Sequence, residues 1–250
     1  MTAVIPRLRM FAGPNGSGKS TLKNVLPSEL LGIYLNADEL EQSMRKLGQI
    51  QVANFGVHPD LLLPSQVKDF FRQSSLLKSA GLNSTADLIS ANSGVIDFSN
   101  VSVNSYIASV LADFLRRRLL QQQASFTMET VMSSADKVEL LKVAQSRGYR
   151  TYLYFVATED PAINVSRVQN RVRQGGHSVP EDKIISRYDR CLELLVPAIR
   201  HTNRAYIFDN SADGRESTWI AEITDGKLIE LKATRIPDWF RRAVLSKVQI

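Results

Sequence analysis

Apolar and polar positions along this chain follow two regimes. Short apolar runs bounded by Gly, Pro, Asn or Asp read as buried strands, and apolar residues three and four apart read as helices. The strand runs are Leu8-Arg9-Met10-Phe11-Ala12, Ile33-Tyr34-Leu35-Asn36, Ser125 to Glu129, Thr151 to Ala157 and Ala205 to Asp209. Helical stretches separate them. Leu22, Val25 and Leu26 fall at helical spacing before Pro27, and Tyr106, Ile107, Val110, Leu111, Phe114 and Leu115 form one stripe of a helix within 103–123. Strand and helix in alternation predict an α/β fold, a parallel sheet of about five strands flanked by helices. Right-handed crossovers then bring all strand C-terminal ends to one edge. Near the C-terminus, Thr218 to Ile223, Asp225-Gly226 and Lys227 to Leu231 spell a hairpin, and Pro237-Asp238-Trp239-Phe240 opens a last helix. Pro59, Pro64, Gly81, Asn83, Asn92 and Gly94 interrupt residues 49–102, which read as a largely helical insertion within one domain spanning 1–250.

The first strand run leads into Gly13-Pro14-Asn15-Gly16-Ser17-Gly18-Lys19-Ser20-Thr21, a complete G-x-x-x-x-G-K-[ST] loop placed between strand and helix. Glycines allow positive φ angles and close backbone approach, so successive N–H groups can turn inward toward phosphates. Lys19 then reaches the β- and γ-phosphates, the Ser20 hydroxyl is placed for Mg²⁺, and the following helix adds its positive end. This pattern predicts a nucleoside triphosphate ligand.

Bulk properties narrow the class. The chain has 250 residues, 44% of them hydrophobic, enough for a full core. No apolar stretch approaches membrane-spanning length, and the first strand begins too early to leave room for a signal peptide. A single cysteine, Cys191, lies in an apolar helical run, which suits core packing and a reducing cytoplasm. The net charge of +6 is compatible with nucleic-acid binding, but the basic residues form no long run, and a phosphate-handling enzyme needs local positive charge in any case. The densest cluster, Arg116-Arg117-Arg118, reads as the solvated face of the 103–123 helix.

Four strand ends carry polar residues to the common edge: the loop, Asn36-Ala37-Asp38-Glu39, Glu129-Thr130 and Asp209-Asn210-Ser211. Asp38 is a candidate general base that orients an acceptor hydroxyl and takes its proton, or else the N-cap of a helix starting at Glu39. Glu129 is a candidate for Mg²⁺ through water or for acceptor hydroxyls; Asp136 and Asp213 sit in ordinary turn positions. Arg167 and Arg171, four apart, share one helix face, an arrangement that disfavours the helix unless an anion lies between them. Ahead of Gly175-Gly176 they suggest a lid, over 165–188, that delivers arginines to a transferring phosphoryl group. Neither an N-K-x-D base-recognition motif nor an L-S-G-G-Q signature is present, which speaks against a GTPase and an ABC ATPase.

Taken together, Ala12 to Thr21, Asn36-Ala37-Asp38-Glu39, Ser125 to Thr130, Gly148-Tyr149, Arg167 to Pro180 with Gly175-Gly176-His177, Arg187-Tyr188 and Asp209-Asn210-Ser211 resemble the zeta-toxin family of P-loop kinases, in its chromosomal branch. The resemblance covers residues 8–48 and 125–240. It implies a P-loop kinase-like sheet and an enzyme that moves the γ-phosphate of ATP, with Mg²⁺, onto the 3′-hydroxyl of a UDP-activated amino sugar such as UDP-N-acetylglucosamine. A toxin role with a separate antitoxin protein comes with it. By this resemblance Gly13 to Thr21 bind ATP, Asp38 is the base, and Asn36, Asp38, Glu129 and Thr130 meet the substrate. Arg167, Arg171 and Arg173 correspond to the arginines that hold the γ-phosphate. The chain departs from the family in having no arginine two residues beyond its Glu-Thr pair, and in the length of 49–102. Those departures keep a second acceptor class open, another small hydroxyl compound, along with an ATP-binding switch that lacks sugar kinase activity.

Overall fold

The computed structural model describes residues 5–176 and 178–247. In chain order the elements are β1 (Arg7–Ala12), α1 (Lys19–Leu22), α2 (Ser28–Leu31), β2 (Ile33–Leu35), α3 (Ala37–Leu47), β3 (Gln49–Gln51), α4 (Pro64–Gln73), α5 (Ser75–Ser79), β4 (Ser90–Asn92), β5 (Val95–Asp97) and α6 (Ser105–Gln121). They continue with β6 (Phe126–Thr130), α7 (Asp136–Ser146), β7 (Arg150–Ala157), α8 (Pro161–Arg173), α9 (Glu181–Glu193), α10 (Leu195–Ile199), β8 (Arg204–Asp209), β9 (Thr218–Thr224), β10 (Leu228–Leu231) and α11 (Asp238–Phe240). The chain divides into two compact units, Met1–Leu31 with Thr127–Ile250, and Gly32–Phe126.

In the first unit the strands lie in the order β10-β9-β8-β7-β1-β6. β7 is parallel to β1 on one side and to β8 on the other, so the centre of this α/β sheet has the predicted parallel form. β7 is apolar on both faces, with Leu153, Phe155, Val156 and Ala157 all buried, as a strand covered by helices on both sides must be. The predicted hairpin forms as β9 and β10 and joins the sheet: β9 is antiparallel to β8 and to β10. The sheet is thus longer than the five strands read from periodicity.

The second unit holds β2, α3 and α6 together with most of the 49–102 stretch. That stretch is less helical than its spacing suggests, because β3, β5 and β4 form a small antiparallel sheet in the order β3-β5-β4. Three-residue strands carry too few alternations to register as a period; only the register against their partners identifies them. The α6 stripe packs as predicted, with Ile107, Val110, Leu111, Phe114 and Leu115 buried, except that Tyr106 is exposed. Arg116-Arg117-Arg118 is a solvated face only at Arg117, which is exposed. Arg116 is 3% exposed. Arg117 lies over the Phe70 ring, while Arg118 lies over Phe114 and donates to Gln66 Oε1 at 2.8 Å. Their alkyl stems and planar heads serve as packing surface, which charge counting along a helix does not reveal.

Candidate functional site

The phosphate loop follows β1 and is shaped by where its glycines sit. Gly18 has φ +96°, and a Cβ there would lie 2.3 Å from Asn210 Nδ2. Gly13, at φ +152°, would place a Cβ 2.1 Å from the Val156 carbonyl oxygen. No side chain fits either space, so the motif's glycines are required by the loop's own packing as well as by any ligand. Beyond Gly18 the helix α1 is a single turn that passes into a 3₁₀ turn at Lys23–Val25. A full macrodipole is therefore missing, and individual N–H groups do the work the sequence assigned to a longer helix. Ser17 is fully buried, and its Oγ finds no hydrogen-bond partner among the described residues; the same holds for Asn15 Oδ1.

Lys19 is largely buried and folds over the loop, its Nζ donating to the carbonyls of Gly13 and Pro14 at 2.9 Å each. Ser20 and Thr21 are exposed. The Ser20 hydroxyl donates to Glu129 Oε2 at 3.5 Å, so strand β6 delivers a carboxylate beside the motif's serine across 109 residues of sequence. A hydroxyl and a carboxylate side by side are hard oxygen donors of the kind Mg²⁺ takes. Thr130, the neighbouring residue, uses its hydroxyl to accept from the Met132 amide at 3.1 Å, closing the turn that leaves β6.

Arg167 is held at three points. It donates to the carbonyls of Asn210 and Ala212 and forms an ion pair with Asp213 at 2.7 Å. The anion that relieves the Arg167–Arg171 pairing is thus a protein carboxylate, and Asp213, passed over as an ordinary turn residue, is one of the residues that shape the site. Gly18, Thr21, Arg167, Asn210, Asp213 and Arg215 line an open cleft of about 240 Å³ beside the loop. Arg171 and Arg173 sit in the last turn of α8 and are exposed; Arg173 donates to Asn170. The α8 and α9 helices of the expected lid pack through Val165, Val168 and Ile184. Burial raises the pKa of Tyr188, whose hydroxyl donates to the Thr158 carbonyl at 2.6 Å. Gly175 takes φ +87°; His177 lies outside the described residues.

Asn36 and Asp38 belong to the second unit. There Asn36, not Asp38, caps the helix: its Oδ1 accepts the Asp38 amide at 2.8 Å, and α3 begins at Ala37. Asp38 stands in the first turn with an exposed side chain, free of the capping task that the sequence left open to it.

Of two residues that hold the loop, Asn164 escaped the sequence reading and Asn210 was given no such role. Asn164, fully buried on α8, donates through Nδ2 to the Asn15 carbonyl at 2.6 Å, and its Oδ1 accepts from Thr158. Neither residue belongs to a motif, and nothing in their local spacing marks them. Asn210, expected at the strand edge but with no stated task, donates to the Ser17 carbonyl at 2.8 Å.

A strand, a glycine loop with inward space, a lysine and a paired serine and carboxylate define a P-loop α/β protein of the phosphate-binding class. Residues 95–212 match the family model described as zeta toxin, a segment that begins after the phosphate loop and ends just past Asn210. An uncharacterized protein of Haemophilus influenzae is 30% identical over 69 residues, 28% of this chain and 49% of that protein. In fold the chain is similar to the AvrRxo1-ORF1:ORF2 complex in its native form, with TM-score 0.56, 16% identity, and coverage of 97% of this chain and 66% of that one. The same complex with ATP gives TM-score 0.55 at 16% identity, covering 99% and 66%. This chain therefore spans about half the length of that curated relative and just under two thirds of those structural neighbours.

Proposed function

We infer that the protein is an ATP-dependent kinase that transfers the γ-phosphate to a hydroxyl of a small molecule, a UDP-activated amino sugar such as UDP-N-acetylglucosamine. The observation that carries this reading is the placement of Glu129 at 3.5 Å from the Ser20 hydroxyl, at the mouth of a glycine loop. A carboxylate beside the loop's serine supplies the second oxygen donor that Mg²⁺ bound to a triphosphate takes, which phosphoryl transfer requires. Gly13 to Thr21 hold the triphosphate, with Lys19 leaving its carbonyl partners for the β- and γ-oxygens. Ser20 and Glu129 hold Mg²⁺, the latter through water; the ion offsets phosphate charge as the γ-group leaves. The cleft lined by Arg167 and Arg215 takes the nucleoside. Asp38, released from capping, orients the acceptor hydroxyl and accepts its proton, and Asn36 and Thr130 complete the acceptor side. Arg171 and Arg173, exposed in the last turn of α8, reach the γ-phosphate, while Arg167 is held by Asp213.

The match of residues 95–212 to the zeta-toxin family model supports the kinase reading, and a structural neighbour bound to ATP supports the nucleotide. That neighbour is a complex of ORF1 with ORF2, which supports a protein partner here; the match to the zeta-toxin model makes an antitoxin the proposed one. A second acceptor, another small hydroxyl compound, is favoured by the absence of an arginine from Val131-Met132-Ser133-Ser134.

The test is ATP consumption by the purified chain with Mg²⁺, with and without UDP-N-acetylglucosamine, followed by mass spectrometry of the nucleotide sugar. A product heavier by one phosphate is expected. Asp38→Asn should cut phosphotransfer by about 10²–10⁴-fold and leave ATP affinity within about twofold. Turnover that survives Asp38→Asn removes the base assignment, and ATP use without a sugar product moves the reading to the other acceptor.

A further inference from the structure

We propose that Asn164 and Asn210 are positioning residues that aim the loop's N–H groups at the phosphates, an inference that rests on the nucleotide reading above. In a trans peptide the C=O of one residue and the N–H of the next point to opposite sides, and no peptide bond in this chain's described residues is cis. Asn164 Nδ2 pulls the Asn15 carbonyl outward at 2.6 Å, which turns the Gly16 N–H to the opposite side. Asn210 Nδ2 does the same to the Ser17 carbonyl at 2.8 Å and so turns the Gly18 N–H. Neither of those two N–H groups donates to any acceptor among the described residues, although Ser17 N between them reaches Pro14 O. Two unpartnered donors on one side of a loop, with the intervening carbonyls tied back, form an anion-binding concavity.

The glycines and the asparagines fit as pairs. A Cβ at Gly16 would lie 2.6 Å from the Asn164 carbonyl oxygen, and a Cβ at Gly18 would lie 2.3 Å from Asn210 Nδ2. Each clamp can approach its carbonyl only because a glycine faces it. The clamps are themselves braced. Asn164 accepts from the Thr158 hydroxyl, and Asn210 is fixed by its N–H to the Ala157 carbonyl at 2.9 Å and by Arg167 on its own carbonyl at 2.8 Å. An amide suits the task because its NH₂ donates without bringing negative charge near the phosphates.

The experiment is calorimetric titration of the full chain with ATP and, separately, with inorganic tripolyphosphate. Asn210→Ala should raise Kd for both ligands by the same factor, roughly 2–13-fold, the worth of a hydrogen bond. Asn210→Asp should lose more, since its carboxylate cannot donate to Ser17 and repels the ligand. In turnover the effect should fall on KM for ATP more than on kcat, which general destabilisation would not produce. Asn164→Ala is expected to behave alike; should it fail to fold, Asn210→Ala decides. Equal binding by Asn210→Ala and wild type overturns the clamps alone, as does a loss confined to ATP, which would put Asn210 on the nucleoside. A wild type that binds neither ligand, like Lys19→Ala, overturns the nucleotide reading itself.

Discussion

Trp239 offers the sharpest test of how the far C-terminus holds the strand edge that carries the site. Its indole is fully buried, tilted against Phe155, and its Nε1 donates to Asp209 Oδ1 at 2.8 Å. The same carboxylate accepts the Ser211 hydroxyl at 2.7 Å, and Glu159 accepts the amides of Asp238 and Trp239 at 3.1 Å each. Trp239→Phe keeps an aromatic ring and deletes the donor. A hydrogen bond to a carboxylate is worth about 1.5–3 kcal/mol, and the smaller ring leaves a cavity that adds about 1 kcal/mol. The expected loss is therefore about 2.5–4 kcal/mol, and for a chain of this size each kcal/mol lowers the midpoint by roughly 2–4 °C. Chemical denaturation followed by circular dichroism would read it. The cycle completed by Asp209→Ala and the double variant isolates the hydrogen bond, with a coupling of about 1–3 kcal/mol expected. Additive losses, with coupling under roughly 0.3 kcal/mol, would refute the link and leave Trp239 as packing alone.

Two further outcomes follow from the geometry. Gly18→Ala should lower ATP affinity by more than roughly tenfold, because a Cβ at φ +96° both strains the backbone and drives Asn210 off the Ser17 carbonyl; titration with ATP at near wild-type affinity would contradict this. Cys191 is fully buried, its Sγ donating to the Val131 carbonyl at 2.9 Å, and burial raises its pKa, so the thiol stays protonated. A thiol reagent at neutral pH should leave it unmodified in the folded chain and label it fully in denaturant, and rapid labelling of the native protein would show that the site opens.

The motif from Gly13 to Ser20 was legible because its chemistry is local: eight consecutive residues carry the glycines, the lysine and the hydroxyl. The central strands were legible for a related reason, since a strand covered on both faces is a continuous apolar run. Asp38 was visible as a candidate, but Asn36 two residues earlier is the cap; either side chain can accept an amide two residues on, and only the helix start at Ala37 separates them. Arg167 was found by its spacing and mistaken in its company: the carboxylate it meets, Asp213, lies 46 residues away.

The sequence by itself determined the α/β class, the order of the central strands along the chain and the phosphate loop. The tertiary structure alone decided which carboxylate sits beside Ser20, which asparagines tie back the loop, that Arg116 is interior, and that the hairpin extends the sheet. The division has a physical cause. Periodicity and glycine placement act over a few bonds and leave a local trace, whereas a hydrogen bond such as Asn210 to Ser17, spanning 193 residues, depends on strand order and register. Those are settled only when the whole sheet packs.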